Sequence, residues 1–205
     1  MDGVLVDSEK LYQRFWIQAC ADYGFVLTEE QSLSLRSNSP EVAIPKFKAW
    51  FGEDVNYNQL RDRRRKLMSE YIDANGVELK SGAEEIIEYL KSQDIKIALA
   101  TASPLKRAEH YLSPYGLMEK FDAVVCGSMV EHGKPAPDIY LCAAKALDLN
   151  PCECIAVEDS PTGVRSSSAA GCVCVFVPDL TPPEEQISSL VYYIVKDLDE
   201  IRKIV

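Results

Sequence analysis

From about residue 80 onward, short apolar runs alternate with amphipathic stretches along the chain. The runs "IKIALAT", "FDAVVCG", "CIAVEDS", "CVCVFVP" and "VYYIVKD" have the length and β-branched content of buried strands, and the segments between them read as helices. Strand and helix alternation of this kind predicts a parallel sheet with helices on both faces. Ser81 with Glu84 forms a capping-box pattern before "IIEYLKSQ", and Ser103-Pro104 and Ala136-Pro137 place proline where a first helical turn accepts it. Residues from about 10 to 79 follow a different period. "LYQRFWIQACADYG", "PEVAIPKFKAWFG" and "NQLRDRRRKLMSEYI" carry apolar residues at helical spacing and contain no convincing strand. Gly24, "SNSP" at 37 to 40 and "GEDVN" at 52 to 56 divide this block into helices, with Thr28 and Gln31 as a second capping box. The pattern predicts an all-helical insertion, residues 10–79, in an α/β unit formed by residues 1–9 and 80–205.

Composition narrows the function classes. The 205 residues are 47% hydrophobic and 26% charged, enough to bury a core. With 32 acidic against 22 basic side chains the net charge is -10, which repels a nucleic-acid backbone or an anionic membrane but leaves room for a small anion in a locally positive pocket. No apolar run of about 18 residues and no signal-peptide pattern is present, so the expectation is a cytoplasmic protein without membrane or nucleic-acid partners, monomeric or weakly dimeric. Seven cysteines fit reduced thiols better than a disulfide framework. "CEC" (Cys152, Cys154) and "CVC" (Cys172, Cys174) are spaced more tightly than common zinc-ligand pairs, lie in β-like stretches and read as small core residues.

Four elements at strand ends carry candidate chemistry: "DGVLVDS" at 2 to 8, "ATAS" at 100 to 103, "GKPAPD" at 133 to 138 and "VEDS" at 157 to 160. In an open parallel sheet the carboxyl ends of the strands share an edge, and ligands bind there. Glu158 and Asp159, adjacent carboxylates after an apolar run, suit a hard cation such as Mg2+, although Asp159 or Ser160 also suits a helix cap. Lys134 lies in a glycine and proline-rich loop able to aim it, or is a mobile surface lysine. Thr101 and Ser103 stand where a helix begins, as an anion site or as ordinary caps.

Taken in this order and spacing, "DGVLVDSE", the helical insertion, "IKIALATAS", "GKPAPDIYLCAAKALDLNP" and "CIAVEDSPTGVRSSSAAG" resemble the haloacid dehalogenase superfamily of phosphohydrolases. The resemblance covers nearly the whole chain and is to the subgroup containing β-phosphoglucomutase, phosphoglycolate phosphatase and sugar-phosphate phosphatases. It implies a Rossmann-like core with a helical cap inserted after the first strand, and phosphoryl transfer through an aspartyl-phosphate with Mg2+. By position, Thr101 and Lys134 would hold the phosphoryl group, with Ser103 a further phosphate contact. Asp2 would be the general acid/base, with its backbone carbonyl on the metal, and Glu158 and Asp159 would be the metal-ligating side chains. The substrate expected is a small phosphorylated metabolite, a sugar phosphate or similar.

The family's nucleophilic aspartate stands two positions before the acid/base, a position that precedes Met1. The expectation is that it lies upstream, that the first, central strand is largely missing from these residues, and that the 205-residue chain has little or no turnover. Alternatives are a β-phosphoglucomutase-like hexose-phosphate mutase, a non-catalytic phosphate- and metal-binding protein, and a receiver-type signalling domain. The helical insertion and the pairing of "GKPAPD" with "VEDS" argue against the last. Tyr12 and Pro40 stand where the mutase pattern has histidine and arginine. Tyr12, Arg36 and Asn38 are the candidate substrate residues, whereas "RDRRRK" at 61 to 66 winds around more than one turn and reads as a solvated helix face.

Overall fold

The computed structural model describes residues 1–36, 38–179 and 185–205. Ser37, in the "SNSP" break, lies outside them. The chain divides into two compact units, Met1–Val6 with Leu79–Val205, and Asp7–Glu78.

The unit Asp7–Glu78 is helical: α1 (Ser8–Ala21), α2 (Glu29–Leu33), α3 (Pro40–Phe51) and α4 (Tyr57–Asn75). Apolar residues at helical spacing meet in one core of Trp16, Cys20, Leu27, Leu35, Ala43, Phe47, Tyr57 and Leu60. Phe47 is fully buried, its ring centroid 5.1 Å from those of both Trp16 and Tyr57. Thr28 caps α2 as a capping box: its Oγ1 accepts from the Gln31 N–H at 3.1 Å, and its own N–H donates to Gln31 Oε1 at 2.9 Å.

The other unit holds α5 (Ala83–Ser92), β1 (Ala98–Thr101), α6 (Leu105–Leu112), β2 (Ala123–Cys126), α7 (Asp138–Ala146), β3 (Ile155–Glu158), α8 (Pro161–Ala170), β4 (Val173–Phe176) and β5 (Tyr193–Ile194). Each of the five apolar runs contains a strand, and every pairing between them is parallel. β1 pairs with β2, and β3–β4–β5 form a second group, with no strand joining β1 to β3 among the described residues. A single apolar cluster nevertheless links Ala98, Ala100 and Val125 to Ala156 and Cys172 beneath Ile139, Tyr140 and Ala143 of α7. The first residues curl into a tight loop, where the Gly3 N–H donates to the Val6 carbonyl at 3.0 Å and Val6 bridges antiparallel to Leu79.

Three local expectations are corrected. Ser81 does not cap α5: the preceding residue is Gly82, at φ +81°, and no side-chain cap is made. A Cβ on Gly82 would lie 3.1 Å from the Asp199 main-chain nitrogen, so a close approach of chain to chain fixes this turn. Pro104 and Pro137 stand just outside α6 and α7, as the residues flanking their starts. Cys152 is exposed in a short 3-10 turn, Pro151–Glu153, and not in a strand, whereas Cys172 and Cys174 are buried and all seven thiols are free.

Candidate functional site

The strand ends of the α/β unit bring the predicted side chains together. Thr101 closes β1 and is buried, its Oγ1 accepting the Ser103 N–H at 3.1 Å. That bond turns the chain sharply, and the Ser103 hydroxyl donates to Asp2 Oδ2 at 2.9 Å instead of capping α6. Arg107, one turn along α6, reaches the same hydroxyl at 3.4 Å.

Lys134 follows β2 in a loop closed by the Ala136 N–H on the Gly133 carbonyl (3.0 Å). The fully buried Ser166 of α8 donates to the Ala136 carbonyl at 2.6 Å, so the loop is tied to the helix behind it. Lys134 Nζ lies 2.5 Å from Glu158 Oε1, and the Tyr140 hydroxyl of α7 donates to the same oxygen. Glu158 Oε2 accepts from the Ser160 hydroxyl at 3.2 Å, while Ser160 Oγ also caps α8 by accepting the Gly163 N–H at 3.1 Å. Burial pushes the Glu158 carboxyl upward, but the Lys134 charge and the hydrogen bonds from Lys134 and Tyr140 outweigh it and hold its pKa below the ordinary value. Burial, and then the negative Glu158 beside it, push the Tyr140 phenol well above its usual range, so it remains a hydrogen-bond donor.

Two glycines give the carboxylates room. A Cβ on Gly3 would fall 2.1 Å from Asp159 Oδ2, which places that carboxylate against the Asp2–Gly3 turn. A Cβ on Gly163 would fall 1.9 Å from Glu158 Oε2.

Among the described residues, no three His, Cys, Asp or Glu side chains form a metal cage of their own. Mg2+ requires fewer: it binds through one or two carboxylates and completes its shell with water and phosphate oxygens. The hard oxygens around the Asp2–Gly3 turn fit that habit, with Asp159 the carboxylate against it and Glu158 spent on Lys134, Tyr140 and Ser160.

The three candidate substrate residues lie in the helical unit, each with a partner there. The Tyr12 ring carries the Arg64 guanidinium at 4.5 Å, Arg36 Nε lies 3.2 Å from Glu9 Oε2, and Asn38 donates to the Ser34 carbonyl at 2.8 Å. The run 61–66 is not a uniform solvated face: Arg64 is buried, whereas Arg63 pairs with Asp22 at 2.6 Å and Lys66 with Glu70 at 3.9 Å. Sequence reading missed Tyr140, Ser166 and Gly163. Their local signals are an aromatic, a serine and a glycine on helix faces, which many core positions share.

An α/β protein that gathers a lysine, hydroxyls and carboxylates at the ends of parallel strands is equipped to hold a small anion beside hard oxygen donors. The chain belongs to the haloacid dehalogenase-like hydrolase family, whose model matches residues 1–177. It is 32% identical over 175 residues to the phosphorylated carbohydrates phosphatase of Thermotoga maritima, covering 83% of this chain and 79% of that one. It is 30% identical over 196 residues to hexitol phosphatase A of Escherichia coli, covering 94% and 88% respectively. Among solved structures, a haloacid dehalogenase family hydrolase from Deinococcus radiodurans with bound phosphate and sodium superposes with a TM-score of 0.82 at 25% identity, covering 100% of this chain and 91% of that one. The fold is therefore the Rossmann-like α/β fold of this family, and its relatives are phosphohydrolases.

Proposed function

We propose that these residues form the phosphoryl-handling part of a Mg2+-dependent phosphatase that acts on a small phosphorylated metabolite, a sugar phosphate or similar, through an aspartyl-phosphate. The observation that carries the reading is the meeting of four loops at the strand ends: Lys134 Nζ lies 2.5 Å from Glu158 Oε1, the Ser103 hydroxyl bonds Asp2 at 2.9 Å, and Asp159 stands against Gly3, beside the buried Thr101. Two relatives named for phosphorylated-carbohydrate and hexitol phosphatase activity support the substrate class.

Phosphoryl transfer requires in-line positioning and neutralisation of charge on the equatorial oxygens. Lys134 supplies a cation from a loop held by Ser166, and the Thr101 hydroxyl and the main-chain N–H groups after β1 supply donors. Asp2, oriented by the Ser103 hydroxyl, exchanges the proton with the leaving oxygen and then with water. Asp159 and the Asp2 carbonyl, with Glu158 alongside, would hold Mg2+, which when bound supplies further neutralisation of phosphoryl charge. An aspartate two positions before Asp2 is the nucleophile this mechanism requires, and a polypeptide without it is expected to bind phosphate with little or no turnover. Tyr12, Arg36 and Asn38 are proposed as substrate-selecting residues of the helical unit, and the protein works in the cytoplasm as a monomer or weak dimer.

The test is hydrolysis of p-nitrophenyl phosphate with Mg2+ by two polypeptides: residues 1–205, and the same residues preceded by an apolar segment ending in aspartate next to Met1. Turnover only in the second, lost on Asp2→Asn, is the expected result. Substantial turnover by residues 1–205 that Asp2→Asn abolishes would show the nucleophile to be misplaced.

A further inference from the structure

Tyr140 lies in the first turn of α7 and is 8% exposed, in the apolar cluster with Ile139, Ala143 and Cys172. A phenylalanine would fill that volume without burying a hydroxyl, and a buried hydroxyl is costly unless it is bonded. Here it makes two bonds whose direction the chemistry fixes. Lys134 Nζ, 3.3 Å away, has only donors, so the phenol oxygen accepts from it. The single phenolic hydrogen is then committed to Glu158 Oε1, which also accepts from Lys134. The ammonium also lies over the tyrosine ring, 4.9 Å from its centroid. Lys134, Tyr140 and Glu158 therefore form a closed triangle around one carboxylate oxygen.

This triangle meets a conflict in the proposed chemistry. Lys134 has to serve an incoming phosphate, yet it is also the cation that compensates a buried Glu158. A buried carboxylate oxygen stripped of its donor pulls the lysine back, and phosphate binding loses what that pull costs. We propose that Tyr140 is a positioning residue that keeps a donor on Glu158 Oε1 while Lys134 turns to the phosphate, so that the lysine is shared between the two anions instead of captured by one. The inference rests on the phosphate site proposed above and assigns Tyr140 a role through Lys134 and Glu158, with no contact of its own to substrate.

The experiment is calorimetric titration of residues 1–205 with inorganic phosphate in the presence of Mg2+, with melting temperature recorded for each variant. Tyr140→Phe is expected to weaken phosphate binding roughly tenfold, the worth of one hydrogen bond to a charged group. Ala146→Gly, exposed at the far end of the same helix, is expected to lower the melting temperature and leave phosphate affinity unchanged. In a Glu158→Gln background the further change Tyr140→Phe is expected to cost little, because no buried charge remains to hold the lysine. Should Tyr140→Phe not fold, Tyr140→His, which keeps a ring N–H donor, is titrated in its place and is expected to retain most of the affinity. Unchanged phosphate affinity in Tyr140→Phe, or equal losses with and without the Glu158 charge, or a tenfold loss in Tyr140→His, overturns the role. Lys134→Ala separates the two levels. If it leaves phosphate binding intact, the phosphate site itself is wrong and the Tyr140 role falls with it; if it abolishes binding while Tyr140→Phe does not weaken it, only the Tyr140 role fails.

Discussion

At Gly163 two tendencies oppose each other. Alanine is the better helix former by about 1 kcal/mol, and the position is helical, so propensity alone favours Gly163→Ala. The added carbon would stand 1.9 Å from the Glu158 carboxylate, which is held on its other side by Lys134 and Tyr140 and has little freedom to yield. Displacement wins: Gly163→Ala is expected to destabilise the chain by about 1–3 kcal/mol in urea unfolding and to weaken phosphate binding together with it. Gly3→Ala meets both a left-handed backbone (φ +71°) and Asp159 at 2.1 Å. It is expected to lose stability and, because Asp159 is the carboxylate it pushes, to reduce Mg2+ affinity measured by calorimetry. A glycine at 163 carries no mark in the sequence that separates it from a packing glycine, since the carboxylate it accommodates comes from another element.

At the scale of elements, β1 to β4 were legible because strands of a parallel sheet are covered by helices and so appear as continuous apolar runs, whereas both residues of the edge strand β5 are exposed. Helix starts were legible where a side chain makes the cap, as at Thr28. Thr28→Ala is expected to cost about 1 kcal/mol in thermal or urea unfolding. At α5 the start was not legible: Ser81 and Glu84 match the pattern, but Gly82 takes a positive φ against Asp199, distant in sequence. Asp122 shows an element-level tie of another kind. Its carboxylate accepts the Ile97 N–H at 2.7 Å and pairs with Lys91 of α5 at 2.9 Å, joining the approaches to β1 and β2 to the preceding helix. The backbone bond from Ile97 first and Lys91 next lower its pKa, so its contribution is present above the unfolded value of about 3.9 and is lost as pH falls through the folded one. Asp122→Asn is expected to lower the urea midpoint above that acid window, where the ionised carboxylate contributes, and so to flatten its fall within the window.

For the whole chain, each unit has its own apolar core, and both tryptophans, Trp16 and Trp50, belong to the helical one. Tryptophan fluorescence therefore reports on Asp7–Glu78. Phe47→Ala, at the centre of that aromatic core, is expected to lower its stability by about 3–5 kcal/mol in fluorescence-monitored unfolding. The sequence alone determined the alternation of strand and helix, the helical insertion and the residue types of the site, because hydrophobic period and strand-end position are local properties of the chain. It also determined the order in which Asp2, Thr101, Lys134 and the Glu158–Asp159 pair are met. Tertiary structure decided how those groups divide their bonds: Glu158 to Lys134 and Tyr140, Ser103 to Asp2, Asp159 to the Gly3 turn. The reason is physical. A hydrogen bond or a close approach depends on distance in space, and residues 24 or 101 positions apart, as in Lys134–Glu158 and Asp2–Ser103, become neighbours only when parallel strands bring their ends to a common edge.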